Sequence, residues 1–124
     1  MVDLISVWEK HEVLPVTVTE YGSGKVLMIG YQTKESLALT LKTGKVYYYD
    51  LNDKKVYKKG HSSGHSQRLM SATMNCSLDA FWFVVEQKGT VCHTGHSSCF
   101  IHEIYSTEYT KHEKFGRLIL DDEK

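Results

Sequence analysis

The chain has 124 residues, 15 basic and 15 acidic side chains that cancel, and seven histidines outside that balance. This length makes one domain able to bury a core. No basic excess points to nucleic acid and no acidic tail to disorder, and no apolar run nears the ~20 residues of a membrane helix.

In chain order, Met1-Val2-Asp3-Leu4 lacks the basic-then-apolar order of a signal peptide. Val16 to Val18 reads as a strand, and Tyr21-Gly22-Ser23-Gly24 as a turn. Lys25 to Tyr31 reads as a buried strand. Thr33 suits an N-cap for a helix from Lys34 to Lys42, with Leu37 and Leu41 one turn apart and Gly44 at its end. Val46 to Asp50 and Val56 to Lys59 form a hairpin around Asn52-Asp53. Met70, Ala72, Met74 and Cys76 alternate along one strand face. Ala80 to Val85 reads as a second buried strand, and Arg117 to Leu120 as a last one. The expected fold class is α+β: a single compact domain over 1–124, a mostly antiparallel sheet and short helices.

Chemistry concentrates in Val91-Cys92-His93-Thr94-Gly95-His96-Ser97-Ser98-Cys99-Phe100. With Cys76 this makes three cysteines. An odd number argues against a disulfide framework, and free thiols fit a reducing, cytoplasmic setting. Three thiolates bind Zn2+ and leave a fourth position open, the pattern of a catalytic zinc. The competing reading is ordinary burial of cysteine as a small hydrophobe. That has weight for Cys76 on an apolar strand face. It has little for Cys92 and Cys99 among Gly, His, Thr and Ser. A strand-turn-strand path would bring Cys76 and Cys92 near each other. His93 and His96 lie inside the same loop, so a proton acceptor is at hand.

The run Cys-His-Thr-Gly-x-x-Ser-Cys-Phe, preceded by Val85-Glu86-Gln87-Lys88-Gly89, resembles phosphoribosyl-AMP cyclohydrolases of histidine biosynthesis. Lys59-Gly60-His61-Ser62-Ser63-Gly64-His65-Ser66-Gln67 is similar to that family's Lys-Gly-x-Ser/Thr-Ser-Gly-x-x-Gln segment. Gly24-Lys25-Val26-Leu27-Met28-Ile29-Gly30-Tyr31 and Leu39-Thr40-Leu41-Lys42-Thr43-Gly44 extend the likeness over residues 12 to 103, leaving 104–124 as an extension. The resemblance implies an obligate homodimer whose zinc is shared, Cys76 coming from one subunit and Cys92 and Cys99 from the other. It implies that Lys59, Gly60, Ser62, Ser63, Gly64, His65 and Gln67 cradle the phosphate of a purine nucleotide, and that His93 is catalytic.

Three departures stand beside this likeness. The family's Asp-Cys-Asp-x-Asp reads Asn75-Cys76-Ser77-Leu78-Asp79, so two of the three carboxylates that hold Mg2+ are gone, and Asn75, Ser77 and Asp79 offer at most a remnant magnesium site. An arginine of the hairpin is replaced by Asp53, which would repel a phosphate. Gln32-Thr33 stands where the family has Met-Asn. The expected activity is zinc-dependent hydrolytic opening of the purine ring of phosphoribosyl-AMP. The alternatives are a similar hydrolase for another purine-type nucleotide, and a zinc-containing nucleotide-binding module without turnover. Neither nucleic acid nor membrane is an expected partner.

Overall fold

The computed structural model describes residues 2–92 and 95–107. Helix α1 spans Leu4–Lys10, β1 Leu14–Glu20, β2 Val26–Gln32, α2 Lys34–Thr43, β3 Tyr47–Asp50, β4 Lys55–Lys58, β5 Gln67–Met74 and β6 Phe81–Gln87. β2, β1, β6 and β5 lie side by side in one sheet, and β3 and β4 form a separate hairpin. Every pairing is antiparallel except β1 with β6, where Val16 lies opposite Phe81 and Glu20 opposite Val85. The α+β class with a mostly antiparallel sheet is therefore observed. The expected strand from Arg117 to Leu120 lies outside the described residues.

Helix α1 was not expected. Asp3 caps it, its carboxylate accepting from the amides of Ile5 and Ser6 at 3.1 and 3.3 Å. Its Val7 is buried, and Leu4 and Trp8 pack against the core, Trp8 stacking on Phe81 with ring centroids 5.9 Å apart. Helix α2 has the expected cap: Thr33 and Ser36 hydrogen-bond reciprocally, and Gly44 closes the far end at φ 76. Its buried face is Ser36, Leu37 and Thr40, while Leu41 faces out. Polar groups join this face to the strands. Ser36 donates to Gln32 Oε1 at 2.7 Å, Gln32 Nε2 donates to the Tyr47 carbonyl at 2.8 Å, and the Tyr47 amide donates to Thr40 Oγ1 at 2.9 Å. Each buried polar atom so named has a partner, as burial requires.

The two strands expected to be buried throughout are buried on one face only. Ile29 and Trp82 are each half exposed, because helices and hairpin cover a single side of the sheet. Core residues Val16, Val18, Leu27, Phe83, Val85, Val46 and Tyr48 fill that side. Two strands carry an extra residue. In β2, Val18 pairs with Met28 and Thr19 with Val26, leaving Leu27 outside the register. Consecutive burial of Leu27 and Met28 follows from that bulge. In β5, Leu69 pairs with Val85 and Ser71 with Val84, leaving Met70 over.

Candidate functional site

The chemistry-bearing residues divide between the two ends of the sheet. Cys92 and Cys99 lie beyond the last residue of β6, whereas Cys76 lies in the turn that precedes its first. β6 has seven residues, so the separation is on the order of 20 Å. Among the described residues no group of three His, Cys, Asp or Glu gathers to hold a metal within one chain. Strand-turn-strand therefore does not bring Cys76 to Cys92: the turn turns at Cys76 itself. Nor is Cys76 on a strand face. β5 stops at Met74, and Cys76 is exposed and free.

Asn75 causes that stop. Its Oδ1 accepts from the amides of Asp79 and Ala80, each at 3.0 Å, and its Nδ2 donates to Asp79 Oδ1 at 2.6 Å. The Asn75 amide donates to the Ala80 carbonyl, and Leu78 takes φ 56. A side chain that reproduces a backbone turn in this way ends a strand. Asn75 Oδ1 and Asp79 Oδ1 are both engaged inside the turn, and Asp79 is the one carboxylate there. This donor set does not fit a hard divalent cation.

At the other end the cysteine loop hangs between two supports. One is the bulge of β2. The Leu27 carbonyl, outside the ladder register, accepts from the Cys99 amide at 2.7 Å; Val26 accepts from Ser98 Oγ at 2.8 Å; Lys25 Nζ donates to Ser97 Oγ. Three consecutive residues thus hold three consecutive residues. The second support is the Lys59 to Gln67 segment. Lys59 Nζ donates to the Val91 carbonyl at 3.1 Å, His65 Nδ1 lies 3.1 Å from the Thr90 carbonyl, and the Lys88 amide donates to Ser66 at 2.9 Å. Contact here is close. A Cβ on Gly89 would lie 2.6 Å from the His65 ring, and one on Gly60 2.5 Å from the His65 carbonyl carbon; both glycines have φ above 70°.

Cys92 is buried, and its amide donates to the His96 carbonyl at 3.2 Å. The Cys99 residue is exposed as a whole, yet its thiol meets protein: burial raises its pKa above the ordinary value, a hydrogen bond and charge from Cys92 raise it further, and the Lys59 ammonium opposes them. Burial pushes the Lys59 ammonium below its ordinary value, and the Cys99 and Cys92 sulfurs pull it back. Two sulfurs and one ammonium therefore share a small volume. Soft sulfur donors of this kind suit zinc.

Lys59 and His65 were expected to meet a phosphate. The structure turns both toward the backbone just before Cys92. Gln67 is also used inside the fold: its Oε1 accepts from Tyr48 Oη at 2.6 Å, and its Nε2 donates to Gln87 Oε1 at 2.8 Å. Ser62, Ser63 and Gly64 are exposed. Ser63 Oγ accepts from the His65 amide at 3.2 Å, and among the described residues the Ser62 and Ser63 amides have no partner. Consecutive free amides in such a turn are suited to an anion. His93 lies outside the described residues. Asp53 is exposed at the tip of the β3–β4 hairpin, where the Asp50 carboxylate accepts from its amide at 3.0 Å. Lys54, next to Asp53, and Ser77, next to Cys76, each line a cavity with His11. The β2 bulge carried no sequence signal beyond the adjacent apolar pair Leu27-Met28.

Paired thiols, a cation and an exposed loop with two free amides thus lie together at one end of the sheet. The model of the family "Phosphoribosyl-AMP cyclohydrolase" matches residues 28–101, and the chain belongs to that family. It is 39% identical over 101 residues to a phosphoribosyl-AMP cyclohydrolase from Archaeoglobus fulgidus, covering 82% of this chain and 94% of that protein. It is 44% identical over 97 residues to the histidine biosynthesis bifunctional protein HisIE of Wolinella succinogenes, covering 78% of this chain and 42% of that protein. A Rhodopseudomonas palustris phosphoribosyl-AMP cyclohydrolase is 44% identical over 86 residues, 69% of this chain and 58% of its own length. The chain thus spans about two fifths of the bifunctional relative.

Proposed function

We propose that the chain hydrolyses phosphoribosyl-AMP, opening its purine ring in histidine biosynthesis, with zinc held by Cys76 of one copy and Cys92 and Cys99 of another. The observation that carries this is the separation of the cysteines within a chain of this family: two are paired at one end of the sheet, and the third is exposed at the other. A second copy is the simplest source of the missing thiol. When bound, the metal supplies Lewis acidity that activates water for attack on a carbon of the ring. The protein's own groups do the rest. The Lys59 ammonium offsets the negative charge of the paired thiolates. The amides of Ser62 and Ser63 receive a phosphate and fix the nucleotide. His93, directly after a ligand, takes the proton from the attacking water and returns it to the departing nitrogen.

A second reading has a specific motive. Asp53 stands in place of an arginine, and Asn75 and Ser77 in place of carboxylates. A related purine nucleotide would then be preferred, and magnesium would matter less than in relatives with all three aspartates. Ratios of kcat/KM over a panel of purine nucleotides separate the two readings.

The test of the first is turnover of phosphoribosyl-AMP by purified protein, with metal analysis, followed by mixing. Cys76→Ser chains and Cys92→Ser chains are each expected to be inactive. Exchanged together they form mixed dimers with one intact site each, so activity and zinc return. Absence of turnover by the wild type ends the activity assignment; turnover without recovery in the mixture ends the shared site.

A further inference from the structure

The segment Gly89-Thr90-Val91, which delivers the chain to Cys92, has no place in a strand or helix. It is held by side chains. We propose that His65 is a positioning residue for the cysteine pair, acting through the hydrogen bond of its Nδ1 to the Thr90 carbonyl, and not a ligand for the nucleotide. Nδ1 lies 3.1 Å from that carbonyl oxygen and 3.4 Å from the Thr90 hydroxyl. A carbonyl only accepts, so Nδ1 carries the proton. The ring cannot slide away from this contact, because its Cδ2, Cγ and Nε2 edge lies against Gly89, where even a methyl group would come within 2.6 to 2.9 Å. The backbone of His65 is fixed as well: its carbonyl accepts from Gln87 Nε2 at 3.3 Å, and its own carbonyl carbon is within 2.5 Å of where a Gly60 Cβ would be. The donor is thus anchored to the sheet through Gln87, and its acceptor lies two residues before Cys92. Lys59 repeats the device one residue along, at the Val91 carbonyl. Two neighbouring carbonyls gripped from one loop set the direction in which the chain enters Cys92. This accounts for a buried Cys92 in a segment with no ladder of its own.

The experiment separates the hydrogen bond from the packing of the ring. Asn places an amide nitrogen where His65 has Nδ1, and Phe keeps the ring against Gly89 but has no donor. In metal-free protein, the rate at which a small thiol reagent labels Cys92 is followed by mass spectrometry in wild type, His65→Asn, His65→Phe and His65→Ala. His65→Phe is expected to label Cys92 about three- to tenfold faster than wild type, the span one neutral hydrogen bond confers, and His65→Asn to stay within about twofold. Zinc release to a chelator should follow the same order in loaded protein. Thermal melts confirm that each variant is folded; if His65→Ala is not, the Asn and Phe pair carries the test. Equal protection of Cys92 in His65→Phe and wild type, or loss of protection in His65→Asn, overturns the proposal and makes His65 a packing residue. The zinc arm alone rests on the metal-ligand reading above. A wild type that binds no zinc would remove that reading and leave the labelling result standing.

Discussion

The two ends of the sheet treat their polar groups in opposite ways. At the Cys76 end, Asn75 and Asp79 satisfy one another and the amides of their own turn, so the turn is self-contained and leaves one exposed thiol. At the Cys92 end, side chains reach across the fold to hold backbone that is distant in sequence: Lys59 to Val91, His65 to Thr90, Ser98 to Val26. A self-contained turn tolerates change locally. A loop hung from distant supports transmits each change to the thiols it carries.

The largest effect expected is loss of the metal centre itself. Cys92→Ser and Cys99→Ser should each leave the purified protein without zinc and lower kcat/KM for phosphoribosyl-AMP by about a thousandfold or more, because one donor of a three-ligand set is gone. Full zinc by metal analysis in either variant would mean that the paired thiols are not ligands.

Next comes the close packing under the loop. Gly60→Ala forces a Cβ to 2.5 Å from the His65 backbone at φ +79, whereas Gly64→Ala meets nothing within 4 Å at φ +78. The first should destabilise by about 2–4 kcal/mol and the second by about 1–2, both carrying the left-handed strain and only the first a clash. Urea unfolding of the two variants side by side checks this; equal losses would show that the backbone contact relaxes freely.

A smaller effect is expected in the layer below. Tyr48→Phe removes the donor to the buried Gln67 Oε1 and should cost about 1–3 kcal/mol. The smallest belongs to the opposite end. Asn75→Ala removes three exposed turn bonds and should cost about 1 kcal/mol, with Cys92 labelling unchanged. A change at Cys92 in that variant would show that the two ends are coupled through the sheet.

What was legible in the sequence was local. Thr33 carries one end of α2 in its hydroxyl and Gly44 the other in its lack of a Cβ, and the hairpin around Asn52-Asp53 needed only neighbouring residues. The family and its cysteine loop were legible because Cys92, Gly95, Ser98 and Cys99 keep a fixed spacing. The parallel contact of β1 with β6 was not, since more than sixty residues separate Val16 from Phe81 and no period in either strand names its neighbour. Alternation from Met70 points one step too far, to Cys76, because Asn75 has the pattern of an outward strand residue while its side-chain amide closes a turn. α1 is illegible for a different reason: Leu4, Val7 and Trp8 have helical spacing, but seven residues depend on what they pack against. The charge and hydrogen-bonding capacity of Lys59, His65 and Gln67 are visible in the sequence, while the groups they bond inside the fold are not.

The bulge at Leu27 has a consequence for how this protein can change length. Deleting one residue there would make β1 and β2 pair without interruption, an improvement by the measure of sheet regularity alone. It would also take away the Leu27 carbonyl and leave the Cys99 amide without its acceptor. A shorter, more regular β2 would therefore be a better strand and a worse anchor, so insertions and deletions are more easily absorbed in the turn at Tyr21–Gly24 than three residues further along.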